Sequence, residues 1–308
     1  MGGLGGLIGL RFLAVGLRRW ARWMTLAVWA IAGAGLAPLA ERWAGAGTAE
    51  IVFLDVGQGD ALAIRSPGGR WILVDTGPRG STYDAGERVV LPYLRRRGVT
   101  RIEVLVLTHP HLDHIGGAEA VLQGLGVGYV IDPSQATGRD AYVSVLEEAS
   151  QNAVPWLEAR RDVSITFDGI EISVLHPDGP TTASYSGTDS NAQSVVLLVR
   201  YGEFEALLTG DAPVELEEAI LDDLPSELEV LKVGHHGSNT STSPLLLAQT
   251  SPELAVISVG PRNRYGHPHA EVVNRILESG TRVLRTDLSG DILIRARRSG
   301  LHEVRTEW

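Results

Sequence analysis

Cysteine is absent from this chain of 308 residues, so neither a disulfide nor a thiolate metal ligand contributes to its fold or function. That absence suits an oxidising compartment without requiring one. Lysine is nearly absent too, with Lys232 the single lysine among 27 basic residues. No fixed period of about 20–50 residues recurs, which excludes solenoids and propellers. A broad basic surface is also missing. Five arginines against Glu41 leave residues 1–46 at +4, whereas 22 basic against 36 acidic residues leave the remainder at −14. A body of that sign does not hold duplex nucleic acid by general phosphate neutralisation, so such a substrate needs a local grip or help from metal ions. Ordinary solvation of a soluble surface is the preferred reading of the acidity.

One long hydrophobic run stands out. Met24 to Ala40 is uncharged over 17 residues, the short end of a membrane span. Arg18, Arg19 and Arg22 precede it and Glu41-Arg42 follow, which predicts a cytoplasmic N-terminus and a body on the outer face. Ala44-Gly45-Ala46 resembles a processing site and supports the rival reading of a cleaved signal followed by secretion. The adopted expectation is a single-pass anchor over residues 1–46 and an extracytoplasmic domain over 47–308.

Within that domain, strands and helices alternate. Strands are expected at 51–54, 61–65, 70–74 and 102–107, at 163–167, 170–175, 194–201 and 204–209, and at 228–233, with 282–286 and 291–295 closing the chain. Helices are expected at 84–97, 116–124, 213–222 and 268–278. Many hairpins with peripheral helices indicate an α+β fold of two mixed sheets sandwiched between helices.

The chemistry concentrates in Thr108-His109-Pro110-His111-Leu112-Asp113-His114, directly after an apolar strand. His109 and His111 can aim at one cation while Asp113 and His114 turn toward a second. Imidazole with carboxylate suits zinc, manganese or iron, and two such ions roughly 3.5–4 Å apart can brace the attacking and leaving oxygens of a displacement. The competing reading is a surface loop that happens to be rich in His and Asp. Two later strand ends supply candidates to complete the site. Leu207-Leu208-Thr209-Gly210-Asp211 delivers a carboxylate that can bridge two ions. Lys232-Val233-Gly234-His235-His236-Gly237 delivers two imidazoles, one to ligate and one to contact substrate or move a proton.

These motifs resemble the metallo-β-lactamase-fold hydrolases across residues 50–296. More narrowly, Leu54-Asp55-Val56-Gly57-Gln58-Gly59-Asp60-Ala61, Val74-Asp75-Thr76-Gly77, Leu231-Lys232-Val233-Gly234-His235-His236-Gly237-Ser238 and Tyr265-Gly266-His267-Pro268 are similar to the extracellular hydrolase domain of ComEC-type competence proteins. The resemblance implies an αββα sandwich with two divalent metal ions, zinc or manganese, between the upper sheet edges. It implies His109 and His111 on the first ion, Asp113 and His114 on the second, Asp211 between them, and His236 as the remaining ligand with His235 as substitute. It also implies a metal-dependent nuclease acting during DNA uptake. Two departures accompany it. Full-length ComEC-type proteins carry a many-helix channel, so a separate channel protein is an expected partner if this chain stands alone. Where most of the superfamily has a third His, residues 189–194 offer Asn191 and Ser194, expected to face substrate.

The working expectation is phosphodiester hydrolysis of DNA, single-stranded by preference. Asp113 orients the nucleophile, Lys232 offers charge to a phosphate, and His235 or His267 protonates the leaving group. Asp60 and Asp75 are read as orienting groups or turn formers rather than ligands, and His176 as a loop residue. Two alternatives stand beside it: a binuclear hydrolase of another ester such as an envelope phosphodiester, and a non-catalytic DNA-binding part of an uptake channel.

Overall fold

Alternation along the first strand sets the layering. The computed structural model describes residues 47–134, 140–179 and 190–307. In it β1 (Ala49–Phe53) points Ile51 and Phe53 into one apolar layer and Val52 into another, as a two-residue period requires. Beside it run β2 (Leu62–Arg65), β3 (Trp71–Val74), β4 (Arg101–Val106), β5 (Gly126–Asp132) and β6 (Trp156–Glu158). A second sheet comprises β7 (Ser164–Phe167), β8 (Ile170–His176), β9 (Val196–Tyr201), β10 (Phe204–Leu208), β11 (Val230–Lys232), β12 (Leu254–Ile257) and β13 (Arg282–Arg285). The chain then returns to the first sheet with β14 (Ile292–Ala296) and β15 (His302–Thr306).

Strand order is β15-β14-β1-β2-β3-β4-β5-β6 in the first sheet and β13-β12-β11-β10-β9-β8-β7 in the second. Each sheet is antiparallel on one side and parallel on the other. The parallel pairings are β3 with β4, β4 with β5 and β5 with β6, and, in the second sheet, β10 with β11, β11 with β12 and β12 with β13. Parallel neighbours send their carboxyl ends to one edge, where open α/β sheets place their ligands.

Phe53, Ile64, Ile72 and Val106 of the first sheet share a buried layer with Ile172, Leu197, Phe204 and Val256 of the second. Each such side chain contributes about 1.5–3 kcal/mol by leaving water. The outer face of the first sheet is covered by α1 (Leu91–Arg96), α3 (Ala118–Gly124) and α4 (Asp140–Gln151), through Leu94, Val121 and Val145. A short α2 (Leu112–Ile115) precedes α3. The second sheet is covered by α5 (Val214–Ala219), α6 (Pro244–Thr250) and α7 (Ala270–Glu278), through Leu216, Leu246 and Ile276. A last short helix, α8 (Thr286–Ser289), follows β13. The sandwich expected from the sequence is thus present.

Several local expectations change. The helix expected at 84–97 opens as a π-helical turn over Gly86–Val90 before α1. The helix expected at 116–124 begins at Ala118, because Gly116 and Gly117 occupy a point where backbones touch. A Cβ on Gly117 would lie 2.4 Å from the Gly86 nitrogen. The chain closes with β15, one strand later than expected. The hydrophobic segment within residues 1–46 and Asp189 lie outside the described residues. Among those described, no helix is long and apolar enough to cross a membrane.

Asp291, just before β14, accepts the Asp55 N–H at 2.8 Å. Burial, with Glu307 and Asp55 nearby, pushes its carboxyl up to about 6. The folded state therefore keeps a proton that the unfolded chain releases near pH 4, so stability is full below that point and falls as pH rises toward 6. Asp291→Asn preserves the acceptor and removes the titration. Its denaturant midpoint is expected to match wild type near pH 4 and to exceed it above about pH 6. Parallel curves across that window would refute the assignment.

Candidate metal centre

Each candidate side chain sits just beyond a strand end on the shared edge. Thr108 and His109 follow β4, Asp75 follows β3, Asp211 follows β10, and His235 and His236 follow β11. His109, His114, Asp211 and His236 are buried, while Asp113 keeps 30% of its side chain exposed. Asp211 is the hub. Its Oδ1 lies 3.3 Å from His114 Nε2 and 3.7 Å from His236 Nε2, and its Oδ2 lies 3.7 Å from both His109 Nε2 and His235 Nε2. Asp113 Oδ2 lies 3.5 Å from His236 Nε2, and His111 Nδ1 lies 3.0 Å from His109 Nε2.

The outer nitrogens explain why these rings face inward. His114 Nδ1 is 2.7 Å from Asp75 Oδ2, and Asp75 also accepts the Thr108 N–H at 2.8 Å and the Thr108 hydroxyl at 2.7 Å. His236 Nδ1 is 3.0 Å from the Ser258 carbonyl, which can only accept, so the proton belongs on Nδ1 and the Nε2 lone pair points into the centre. Buried His114 Nε2, His236 Nε2 and Asp211 Oδ1 make no hydrogen bond. Buried polar atoms facing one another at such distances without hydrogen-bond partners fit a divalent cation.

Electrostatics agree. Burial alone would lower His114, yet Asp211 and Asp75 raise it well above its ordinary value. His236 is likewise raised, against burial, by Asp211 and Asp60. Burial would raise Asp113, but His236 at 3.5 Å and the charge of His114 hold it well below the usual carboxylate range. His109, ringed by other imidazoles, is lowered by burial and by His114. The field is negative at the centre, and positive charge is what it lacks.

Backbone strain gathers in the same place. Asp75, His235 and His236 have φ of 58°, 46° and 54°, a region that non-glycine residues adopt at a cost of about 1–3 kcal/mol each. The turn is held by Ser238 N–H to His235 O at 2.9 Å and His269 N–H to Gly237 O at 2.9 Å. A buried carboxylate on α5, Glu217, accepts the N–H groups of Thr242 and Ser243 at 2.5 and 2.8 Å, pinning the segment that follows. The centre opens onto a cleft of about 330 Å³, lined by His111, Asp113, His235, Tyr265 and His267 among others. Burial and the neighbouring His235 push His267 down to about 4, and burial lowers His235.

Residues 54–260 match the protein-family profile described as the Metallo-beta-lactamase superfamily. The chain belongs to that superfamily. Similar curated proteins include ComE operon protein 3 of Bacillus subtilis (strain 168), 34% identical over 80% of this chain and 33% of that protein. Competence protein ComA of Neisseria gonorrhoeae is 33% identical over 83% of this chain and 34% of that protein. The chain therefore spans about a third of the length of these curated relatives. The solved metallo-beta-lactamase fold protein YhfI from Bacillus subtilis gives a TM-score of 0.54 at 10% identity, covering 80% of this chain and 99% of that one, which shows a shared fold. Metallo-beta-lactamase folds typically serve metal-dependent hydrolases, and the likeness to competence proteins expected from the motifs holds over this domain.

Two sequence expectations for this metallo-beta-lactamase centre are corrected. Lys232 is 2% exposed, and its Nζ lies 2.6 Å from Asp60 Oδ2 while donating to the Gly210 and Val233 carbonyls at 2.8 and 3.2 Å. Tied on three sides inside the fold, it is absent from the cleft wall and does not meet a phosphate. Ser194 is fully buried, and its hydroxyl accepts the Asp211 N–H at 3.2 Å, so it steadies the hub rather than substrate. Asn191, also buried, accepts the Ser194 N–H on its backbone oxygen at 3.0 Å. His176 contacts the Ser194 carbonyl through Nδ1 at 3.0 Å, behind the same strand end.

Asp75 and Thr108 form the support that spacing alone left undefined. Asp75→Asn keeps the size of the side chain but replaces a proton-accepting oxygen or the charge facing His114. Metal affinity by competitive chelation is expected to fall about 10–100-fold, with the fold retained by circular dichroism. An unchanged affinity would mean that Asp75 only shapes its turn.

Proposed function

We propose that this chain is a divalent-metal-dependent phosphodiesterase that cuts DNA outside the cytoplasmic membrane during DNA uptake. The observation that carries the hydrolytic reading is the inward-facing set His109, His114, His236, Asp113 and Asp211, braced from behind and open to a cleft on one side. The names of the competence relatives support the DNA context, and the arginine-flanked hydrophobic run supports action on the outer face.

In this reading His109 and His111 would hold a first ion and Asp113, His114 and His236 a second, with Asp211 within reach of both groups. Zinc or manganese bound there supplies Lewis acidity and an activated water. Asp113, 30% exposed to the cleft, would help hold that ion and orient a water entering from the cleft side. His235 and His267, rings 5.6 Å apart on the cleft wall, are placed so that one of them can donate a hydrogen bond to the departing oxygen, which takes its proton from water in the cleft. The acidic body favours a second reading, a small envelope phosphodiester as substrate.

The test is cleavage of a single-stranded oligonucleotide by the purified full chain with Mn²⁺ or Zn²⁺. Wild type is expected to cut it, and Asp113→Ala to be slower by about 10²–10⁴-fold. Equal inertness of both proteins across metals would end the nuclease reading, and turnover of small diesters alone would select the second.

A further inference from the structure

We propose that the loop Pro261–His267 is the grip for a single-stranded polynucleotide, with Tyr265 stacking a base at the mouth of the metal centre and Arg262 and Arg264 taking flanking phosphates. This deepens the phosphodiesterase reading and rests on it. The loop follows β12 and forms one wall of the cleft, with Leu112 on another wall. Both Tyr265 and Leu112 are large apolar groups left in water, 50% and 46% exposed.

Exposure of an aromatic ring beside a reaction centre is not a by-product of a loose loop, because the loop is locked. Asn263 donates to the Gly260 and His267 carbonyls at 3.0 and 2.6 Å and accepts the Tyr265 and His267 N–H groups at 3.2 and 3.0 Å. Gln58 accepts the Gly260 N–H at 3.1 Å from the first sheet's side. The Tyr265 ring is stacked on His267 at 5.7 Å and 25°, which fixes its plane. A preorganised aromatic plane loses little on binding a base, and stacking discriminates poorly between bases, as an enzyme that cuts without sequence preference needs.

Charge is arranged to match. Arg262 and Arg264 are exposed in a body that carries −14 beyond residue 46. Arg264 lies over the Tyr265 ring at 5.0 Å and donates to its hydroxyl at 2.8 Å. Neither guanidinium enters an ion pair with a carboxylate among the described residues. Two guanidiniums without a carboxylate partner, one of them held against an exposed ring above a centre rich in carboxylates, give a strand a local foothold that the rest of the surface denies it. Guanidinium and phenol thus read phosphate and base face together, the combination that single strands alone present unstacked.

The experiment compares binding of a fluorescein-labelled oligothymidylate of about 12 nucleotides with an abasic oligomer of equal length. Anisotropy is read with the full chain in Ca²⁺ buffer. Tyr265→Ala is expected to lower the ratio of oligothymidylate to abasic affinity at least about fivefold, with Tyr265→Phe retaining it. Arg262→Gln with Arg264→Gln is expected to weaken both ligands and to flatten the salt dependence by about 1.4 in slope, at about 0.7 per lost phosphate contact. A ratio within twofold of wild type for Tyr265→Ala, or an unchanged salt slope for the arginine pair, overturns the grip, as does a wild type that binds neither oligomer. Binding with the expected pattern but no cleavage under any metal overturns the phosphodiesterase reading and leaves the grip standing.

Discussion

Asp211→Ala is expected to remove bound metal and to cut hydrolysis by more than the roughly 10–100-fold typical of an outer-shell partner. The carboxylate lies between 3.3 and 3.7 Å from four imidazoles, so its loss strips the one anion shared by all of them. His114 and His236 are raised partly by Asp211. Without it they revert toward their ordinary values, and the attraction for a cation falls with the same charge. Two measurements check this together. Metal content by mass spectrometry should fall well below wild type. The stabilisation that wild type gains from metal, about 2.7 kcal/mol at a hundredfold excess over the dissociation constant, should vanish, so that a chelator no longer shifts the melting curve. A variant that keeps both metal and turnover would show that Asp211 is only a strand terminator.

Lys232→Met is expected to destabilise the fold strongly. The Lys232–Asp60 pair is sealed, with both partners at 2% exposure or less. Asp60 also faces His236 Nδ1 at 3.5 Å and His114 Nδ1 at 3.6 Å. Removing the ammonium leaves a buried carboxylate without its nearest counter-charge and the Val233 carbonyl without its Lys232 donor, while Gly210 keeps the His235 N–H, a loss of about 3–5 kcal/mol. In denaturant titration of the chelated protein, Lys232→Met should lose that amount. The double variant with Asp60→Asn should recover much of it, because the stranded charge is gone. If the double variant is as unstable as the sum of its singles, the pair is not coupled.

Chemistry-bearing residues were legible where the signal is local. A strand followed at once by His109, His111, Asp113 and His114 spells out its own geometry, and the strand ends at Asp211 and His236 complete it at the same edge. Contacts between segments far apart in the chain were not legible. Nothing near residue 232 announces that its ammonium turns to Asp60, 172 positions away, so a lone lysine beside two histidines reads as a phosphate ligand. The hydroxyl of Ser194 fails for the same reason, since its partner is a backbone N–H on another strand.

Secondary structure shows a parallel division. β12 is four buried apolar residues, Leu254-Ala255-Val256-Ile257, too short to display a period. β15 carries His302, Glu303, Arg305 and Thr306 on an edge where burial imposes little pattern. α6 did carry its signals, with Ser243 capping and Pro244 in the first turn. β3 is as short and as buried as β12 but follows the turn residues Ser66-Pro67-Gly68-Gly69, which mark a hairpin, whereas β4, β10 and the helix around Val272 and Ile276 were readable from their apolar pattern.

The two-sheet plan has a mechanical consequence. Asp75, His109, Asp113 and His114 belong to loops of the first sheet, whereas Asp211 and His236 belong to the second. Neither half owns a complete set, so the centre is a seam, and the apolar layer beneath it works as the hinge plate that keeps the halves in register. Any sideways slip of one sheet on the other is felt as a change in the spacing of the ligands. A cation seated there rivets the halves, and a repacked residue deep in the layer, Phe53 or Phe204, becomes a way to tune metal affinity without touching a ligand.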